Sequence, residues 1–177
     1  MVNAMRILFI GRFQPFHNGH LEALKYLCKM GEVIVAVGSA QHGGSFRNPF
    51  AFKERELMIR AAAEEAGVEI LDVVPVKDIY NHQRWAEHVQ ACVPAYDCIF
   101  TNSETDRRIF EFAGERLMKE WLFERERYEG KKVREAMAAG KDWKALVPPS
   151  VAAFLDDIKG EERLRILKEK GPSGEDQ

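Results

Sequence analysis

Ten consecutive residues, Gly11-Arg12-Phe13-Gln14-Pro15-Phe16-His17-Asn18-Gly19-His20, gather the groups in this chain best suited to phosphate. Gly11 permits a tight turn close to a ligand. Pro15 stiffens the loop. His17 to His20 then opens a helix, whose first turn presents free N–H groups and the positive end of the dipole. Such a terminus suits an anion. Arg12 adds a cation able to bind two phosphate oxygens. Gly19 leaves room for a ligand to press against the backbone. His17 and His20 stand three apart, so both rings share one face of the first turn. Taken alone, the pair also fits a turn with two surface histidines, or half of a metal site. No Cys, and no Asp or Glu in a ligand pattern, joins it. The whole segment at the end of a strand points to phosphate.

The elements that must position this segment alternate between strand and helix. The pattern predicts strands at Arg6–Ile10, Glu32–Val37, Val68–Val74, Tyr96–Thr101 and Leu117–Phe123. Helices are expected at Asn18–Met30, Lys53–Ala66, Asn81–Ala91 and Glu104–Phe112, with Leu57, Ile59 and Ala63 inside the second and Gly67 as its stop. From Lys131 onward, short helices are expected, broken by Gly140, Pro148, Pro149 and Gly160. Val151 to Leu167 is amphipathic. Alternation of this kind implies an α/β fold with a doubly wound, mainly parallel sheet of five to six strands and helices at the C-terminal end. One domain spanning 1–177 is expected, with frayed ends near 1–5 and 171–177. In such sheets ligands bind outside the carboxyl ends of the strands. Gly11–His20, Gly38–Phe50, Val74–Trp85 and Thr101–Glu104 should therefore converge.

Composition narrows the partners. The chain has 177 residues, with 26 Lys plus Arg against 28 Asp plus Glu and a net charge of -2. That balance offers no global attraction to nucleic acid or anionic membranes. The apolar runs are too short to span a bilayer, and with no charged segment followed by an apolar one at the start, secretion is not expected. Cys28, Cys92 and Cys98 form no C-x-x-C pair, and the odd count argues against a disulfide framework. Reduced thiols and a cytoplasmic location are the expectation.

Gly11 to His20 resembles the His-x-Gly-His signature of the nucleotidyltransferase superfamily, and its longer form resembles the archaeal-type nicotinamide mononucleotide adenylyltransferases. Gly38-Ser39-Ala40-Gln41, Asn48-Pro49-Phe50, Glu54-Arg55, Asp78-Ile79, Trp85 and His88 fit the same family, as do Trp143, Leu146-Val147-Pro148 and Ile158-Lys159-Gly160. The resemblance covers about residues 5 to 167. It implies a Rossmann-like fold and transfer of the adenylyl group of ATP to nicotinamide mononucleotide. The products would be NAD and pyrophosphate, by direct attack without a covalent intermediate. It implies Mg²⁺ held mainly by ATP phosphates and not by protein side chains, and a homo-oligomer, often a hexamer.

The resemblance also implies residue roles. His17, His20, Arg12 and Arg134 would be catalytic. Gly11, Phe13, Gly19, Thr101, Asn102, Tyr128 and Lys131 would complete the ATP site. Phe13, Ser39, Arg47, Ile79, His82 and Trp85 would bind the mononucleotide, with Trp85 stacked on its ring. Two departures stand out. The family often has Asn three residues before this Trp, where the chain has His82 and carries Asn81 one place earlier. The second signature, roughly Ser-Gly/Ser-Thr-x-x-Arg, here reads Glu129-Gly130-Lys131-Lys132-Val133-Arg134. Lys131 puts a cation in place of a hydroxyl, and Glu129 puts a carboxylate beside phosphates. These departures keep two other readings open. The acceptor would be nicotinate mononucleotide, phosphopantetheine or a flavin nucleotide in one, and the chain a non-catalytic nucleotide-binding regulator in the other.

Overall fold

The structure, a computed structural model, describes residues 4–119, 124 and 126–172. Four parallel strands, β1 (Arg6–Gly11), β2 (Glu32–Val37), β3 (Asp72–Pro75) and β4 (Cys98–Phe100), lie in the order β3-β2-β1-β4. The helices are α1 (Asn18–Cys28), α2 (Phe52–Ala66), α3 (Trp85–Cys92), α4 (Glu104–Phe112), α5 (Gly130–Ala138), α6 (Pro149–Asp157) and α7 (Gly160–Lys170). The order reverses at β1, so the chain crosses to opposite sides and leaves a crevice where the loops after β1 and β4 part.

Side chains alternate across β1. Ile7 and Phe9 face a core closed by α1, α2 and α5–α7, and Leu8 and Ile10 face a smaller core closed by α3 and α4. The continuous apolar run of β1 and β2 is what burial on both faces requires.

Several expected boundaries shift. The third strand starts at Asp72 instead of Val68, because Gly67 adopts φ 65° and Val68 N–H still closes the end of α2 on Ala63 O. The fourth strand shortens to Cys98–Phe100. The expected fifth strand contributes one parallel bridge, Leu117 to Ile99, and Glu120–Phe123 lie outside the described residues. The sheet thus has four strands among the described residues, not five or six. Asn81–Ala91 splits into a 3₁₀ turn, His82–Arg84, and α3, with the Asn81 side chain capping Arg84 N–H. Leu57 is 44% exposed and not inside, because the buried face of α2 runs through Arg55, Met58, Ile59 and Ala62. Pro149 starts α6 where a break was expected, since a first-turn proline has no N–H to satisfy. The 151–167 stretch is two helices, turned at Lys159 with φ 54°. Of the expected frayed ends, residues 1–3 and 173–177 lie outside the described residues, and Met5 O accepts Glu32 N–H at 2.9 Å.

Gly31 makes the turn into β2 against that same carbonyl. A Cβ there would sit 2.1 Å from Met5 O, whereas one at Gly67 meets nothing within 4 Å and suffers only the left-handed backbone. Gly67→Ala is expected to cost about 1 kcal/mol, and Gly31→Ala about 2 kcal/mol or more. Urea unfolding of the two variants checks this, and equal losses would contradict the packing at Met5.

Candidate active site

The segment after β1 folds back on the start of α1 through a capping box made of histidines. His17 is the N-cap and its Nδ1 accepts His20 N–H at 3.3 Å, while His20 Nδ1 accepts His17 N–H at 3.2 Å. The spacing is that of Ser-x-x-Glu, with imidazole acceptors in place of oxygen. The rings stack, centroids 3.5 Å apart at 16°. Phe13 backs His20 at 4.8 Å and Phe16 lies 5.4 Å away. Burial lowers the His17 pKa from 6.5 to about 3, assisted by Arg134, and burial plus His17 lowers that of His20 well below 6.5. Both rings are neutral at neutral pH. Each Nδ1 lone pair is occupied, so each proton sits on Nε2. The pair offers two N–H donors and no free base.

Two adjoining cavities meet beside these rings. One, about 270 Å³, is lined by Gly11, Arg12, His17, Gly19, His20, Thr101, Asn102, Tyr128, Glu129 and Gly130 among others. The second, about 520 Å³, is lined by Gly11, Arg12, Ser39, Arg47, Asp78, Ile79, Asn81, His82, Trp85 and Asp106 among others. Arg12 lines both, on the shared wall. Its pKa is lowered by burial and then by Arg47, against Asp78 and Asp106. Arg134 is brought to about 10 by burial, with Arg12 and Arg47 adding to the effect. Crowded cations of this kind are relieved by an anion.

Glutamine and arginine side chains hold the loops in place. Gln14 Nε2 donates to Phe50 O at 2.9 Å and its Oε1 accepts Phe50 N–H at 3.0 Å, which fastens the β1 loop to the segment before α2. Gln41 does the same between the loops after β2 and β3, with both bonds to Asp78 backbone at 3.0 Å. Arg55, fully buried on α2, donates to Arg12 O at 2.9 Å, Gly38 O at 2.8 Å and Ser39 O at 3.0 Å. Arg134, 6% exposed, donates to Gln14 O at 2.8 Å.

Most predicted residues converge. Gly11, Arg12, His17, Gly19, His20, Thr101, Asn102 and Tyr128 line the histidine cavity, and Ser39, Arg47, Ile79, His82 and Trp85 line the larger one. Three line neither. Phe13 is buried in the core behind His20, Arg134 is behind the β1 loop, and Lys131 is exposed near Glu135 at 3.9 Å. Trp85 both lines the cavity and packs on the smaller core. Ser103 lines both cavities and caps α4 through Asp106 N–H at 3.2 Å. Sequence reasoning missed Asp106 and the three tethers Gln14, Gln41 and Arg55 as parts of a site. Arg55 carried a signal, since it falls on the apolar stripe of α2 with Met58, Ile59 and Ala62. Asp106 stands three residues after the Ser103 cap, a first-turn position.

The histidine geometry has a spectroscopic consequence. ¹⁵N NMR of the free protein is expected to show His17 and His20 as Nε2–H tautomers that do not titrate between pH 7.5 and 5. Stability is fully supported above the unfolded pKa of 6.5 and falls as pH drops from there toward the folded value, about 3 for His17. The loss is up to about 1.4 kcal/mol per pH unit per ring. A midpoint near 6.5 for either ring would contradict the burial described.

Comparison with known proteins agrees with this geometry. The profile of the cytidylyltransferase-like family matches residues 8–116. The nicotinamide-nucleotide adenylyltransferase of Archaeoglobus fulgidus is 41% identical over 92% of this chain and 97% of its own. That of Picrophilus torridus is 39% identical over 93% of this chain and 98% of its own. Among solved structures, a bifunctional NMN adenylyltransferase/ADP ribose pyrophosphatase from Francisella tularensis, complexed with AMP and an Mn ion, superposes with a TM-score of 0.72 at 24% identity. The match covers 93% of this chain and 52% of that one, and it is a likeness of fold. A crevice beside a histidine-capped helix on a parallel sheet, joined to near-full-length identity of about 40%, places the chain in the nicotinamide-nucleotide adenylyltransferase branch of the cytidylyltransferase-like family.

Proposed function

We propose that the protein catalyses adenylyl transfer from ATP to nicotinamide mononucleotide, forming NAD and pyrophosphate. The observation that carries this reading is the state of the two histidines. Neither has a lone pair free to take a proton, which favours a nucleophile that needs no deprotonation. The acceptor's 5′-phosphate meets that condition, because its second pKa is about 6 and it is largely dianionic at neutral pH. One of its oxygens attacks the α-phosphorus of ATP. The new P–O bond forms as the bond to the β-phosphate bridge breaks, and pyrophosphate leaves with that electron pair. No proton moves. Catalysis is then alignment plus stabilisation of charge on phosphate oxygens.

The two cavities divide the substrates. ATP phosphates belong beside His17 and His20, whose Nε2–H groups donate to oxygens where charge builds. The mononucleotide belongs in the larger cavity, its phosphate toward Arg12 and Arg47 and its ring against Trp85. Arg12, on the shared wall, serves the phosphates of both. Arg134 acts one layer behind, adding positive potential and holding Gln14 O. Lys131, outside both cavities, contributes to the same field from the surface.

Among the described residues, no group of three or more His, Cys, Asp or Glu side chains converges as a metal site. Glu129 is the carboxylate that lines the histidine cavity. In this reading phosphate oxygens and water would hold most of a bound Mg²⁺, and Glu129 would be the protein carboxylate available to it. When bound, the metal neutralises charge on the leaving pyrophosphate. The reading also takes the enzyme to be cytoplasmic and to assemble with itself. No helix among the described residues is long and apolar enough to cross a membrane, and Phe112, 95% exposed, offers apolar surface to a second copy.

The test is a steady-state assay with ATP and Mg²⁺ across nicotinamide mononucleotide, nicotinate mononucleotide, phosphopantetheine and flavin mononucleotide. NAD and pyrophosphate are expected in equal amounts with the first. His20→Asn is expected to lower kcat about 10²-fold. No NAD from nicotinamide mononucleotide, or unchanged kcat in the variant, overturns the reading.

A further inference from the structure

The larger cavity holds a carboxylate whose presence the transfer chemistry does not require. Asp106 stands in the first turn of α4 and lines the cavity with Trp85, from the adjacent α3. The Trp85 indole N–H is buried with no hydrogen-bond partner among the described residues, and it favours the charged form of the Asp106 carboxyl. Two other acidic or basic features of the cavity are accounted for. Arg12 and Arg47 suit a phosphate, and Asp78 has His42 Nε2 at 3.8 Å and its backbone held by Gln41. Asp106 forms no ion pair among the described residues, and its backbone N–H donates to Ser103 Oγ at 3.2 Å.

We infer that Asp106 selects the acceptor by charge, favouring a pyridinium ring that carries a neutral amide over the same ring carrying a carboxylate. The inference rests on the acceptor cavity assigned above and extends it to specificity. A nicotinamide ring joined to ribose bears a net charge of +1, and the nicotinate ring bears none. A carboxylate in a partly dry cavity attracts the first and repels the carboxylate edge of the second. The argument needs Asp106 in the cavity and no particular contact with the ring. Burial and then the neighbouring Asp78 raise the Asp106 pKa, while Ser103, the indole and Arg12 oppose the rise. A cationic ligand beside it favours the charged form further.

The experiment compares kcat/KM for nicotinamide mononucleotide and nicotinate mononucleotide in wild type, Asp106→Asn, Asp106→Ser and Asp106→Glu. Wild type is expected to prefer the amide. The preference should fall about tenfold in the Asn and Ser variants and persist in Glu, with KM for ATP unchanged in all. Any effect through Arg12 or through α4 would lower both acceptors alike and cancel in the ratio. An unchanged ratio in a folded neutral variant, or a wild type that does not prefer the amide, overturns the inference and leaves the transfer reading standing. Failure of wild type to make NAD at all defeats the transfer reading itself. The two Asp106 neutral variants give independent chances of a folded protein, and calorimetric binding of each mononucleotide without ATP reads the same ratio if turnover is lost.

Discussion

The buried guanidinium of Arg55 sits where the chain ends of β1 and β2 must be held together. Three carbonyls, from Arg12, Gly38 and Ser39, point at it within 3.0 Å. Among the described residues no carboxylate forms an ion pair with it, since Glu54 is turned to Arg163 at 2.8 Å and to Ala51 N–H at 2.9 Å. A charge taken from water without a counterion is costly unless its donors are filled, and here both terminal nitrogens are filled while the buried Nε–H has no partner among the described residues. Burial and the nearby Arg12 bring its pKa to about 10. The carbonyl dipoles therefore do structural work that an ion pair would do elsewhere. Because those carbonyls belong to the loops carrying Arg12 and Ser39, one side chain fixes the shared wall between the two cavities. Gln14 and Gln41 extend the lattice to Phe50 and Asp78. Loops tied by backbone bonds of this kind are arranged before a substrate arrives, which is the condition for electrostatic catalysis.

A second constraint follows from that rigidity. The first turn of α1 has free N–H groups to satisfy, and the chain uses two imidazoles for the purpose. Capping and catalysis are thereby joined. Filling Nδ1 with a backbone amide orients each ring and forces the proton to Nε2. Burial keeps the rings neutral, with Arg134 adding to the effect at His17, and the arginines hold a positive potential around them. Gly19 belongs to the same arrangement, for a Cβ there would sit 3.0 Å from Tyr128 Cβ and 3.1 Å from the His17 ring. The site has donors and cations in abundance and no imidazole with a free lone pair, which suits a nucleophile that arrives already ionised.

Much of this was legible in the residues. The alternation of apolar runs and helical stripes gives the parallel sheet, and Glu104–Phe112 is found with the expected ends because Ser103 caps it strongly. The Gly11–His20 segment reads as a phosphate site because its chemistry is local. What was not legible depends on contacts far apart in sequence. Gln14 and Phe50 are 36 residues apart, Gln41 and Asp78 are 37 apart, and Arg134 reaches Gln14 over 120 residues. No local pattern encodes such pairs. Edge strands were also overcalled. The segments flanking β3 and β4 are apolar enough to pair, and pairing stops where the neighbouring strand ends or a helix cap intrudes. Phe13 shows the same limit at the site, since only the fold reveals that its ring supports His20 from the core and does not line a cavity.

The central claim is a single displacement at the α-phosphorus, carried out between two cavities that share Arg12. The stereochemical course of adenylyl transfer tests it most directly. ATP made chiral at the α-phosphorus with sulfur in place of one oxygen is turned over with nicotinamide mononucleotide, and the configuration of the product is read. One in-line attack predicts inversion. Retention would require two successive displacements through an adenylylated side chain, and would contradict an account in which His17 and His20 act only as N–H donors.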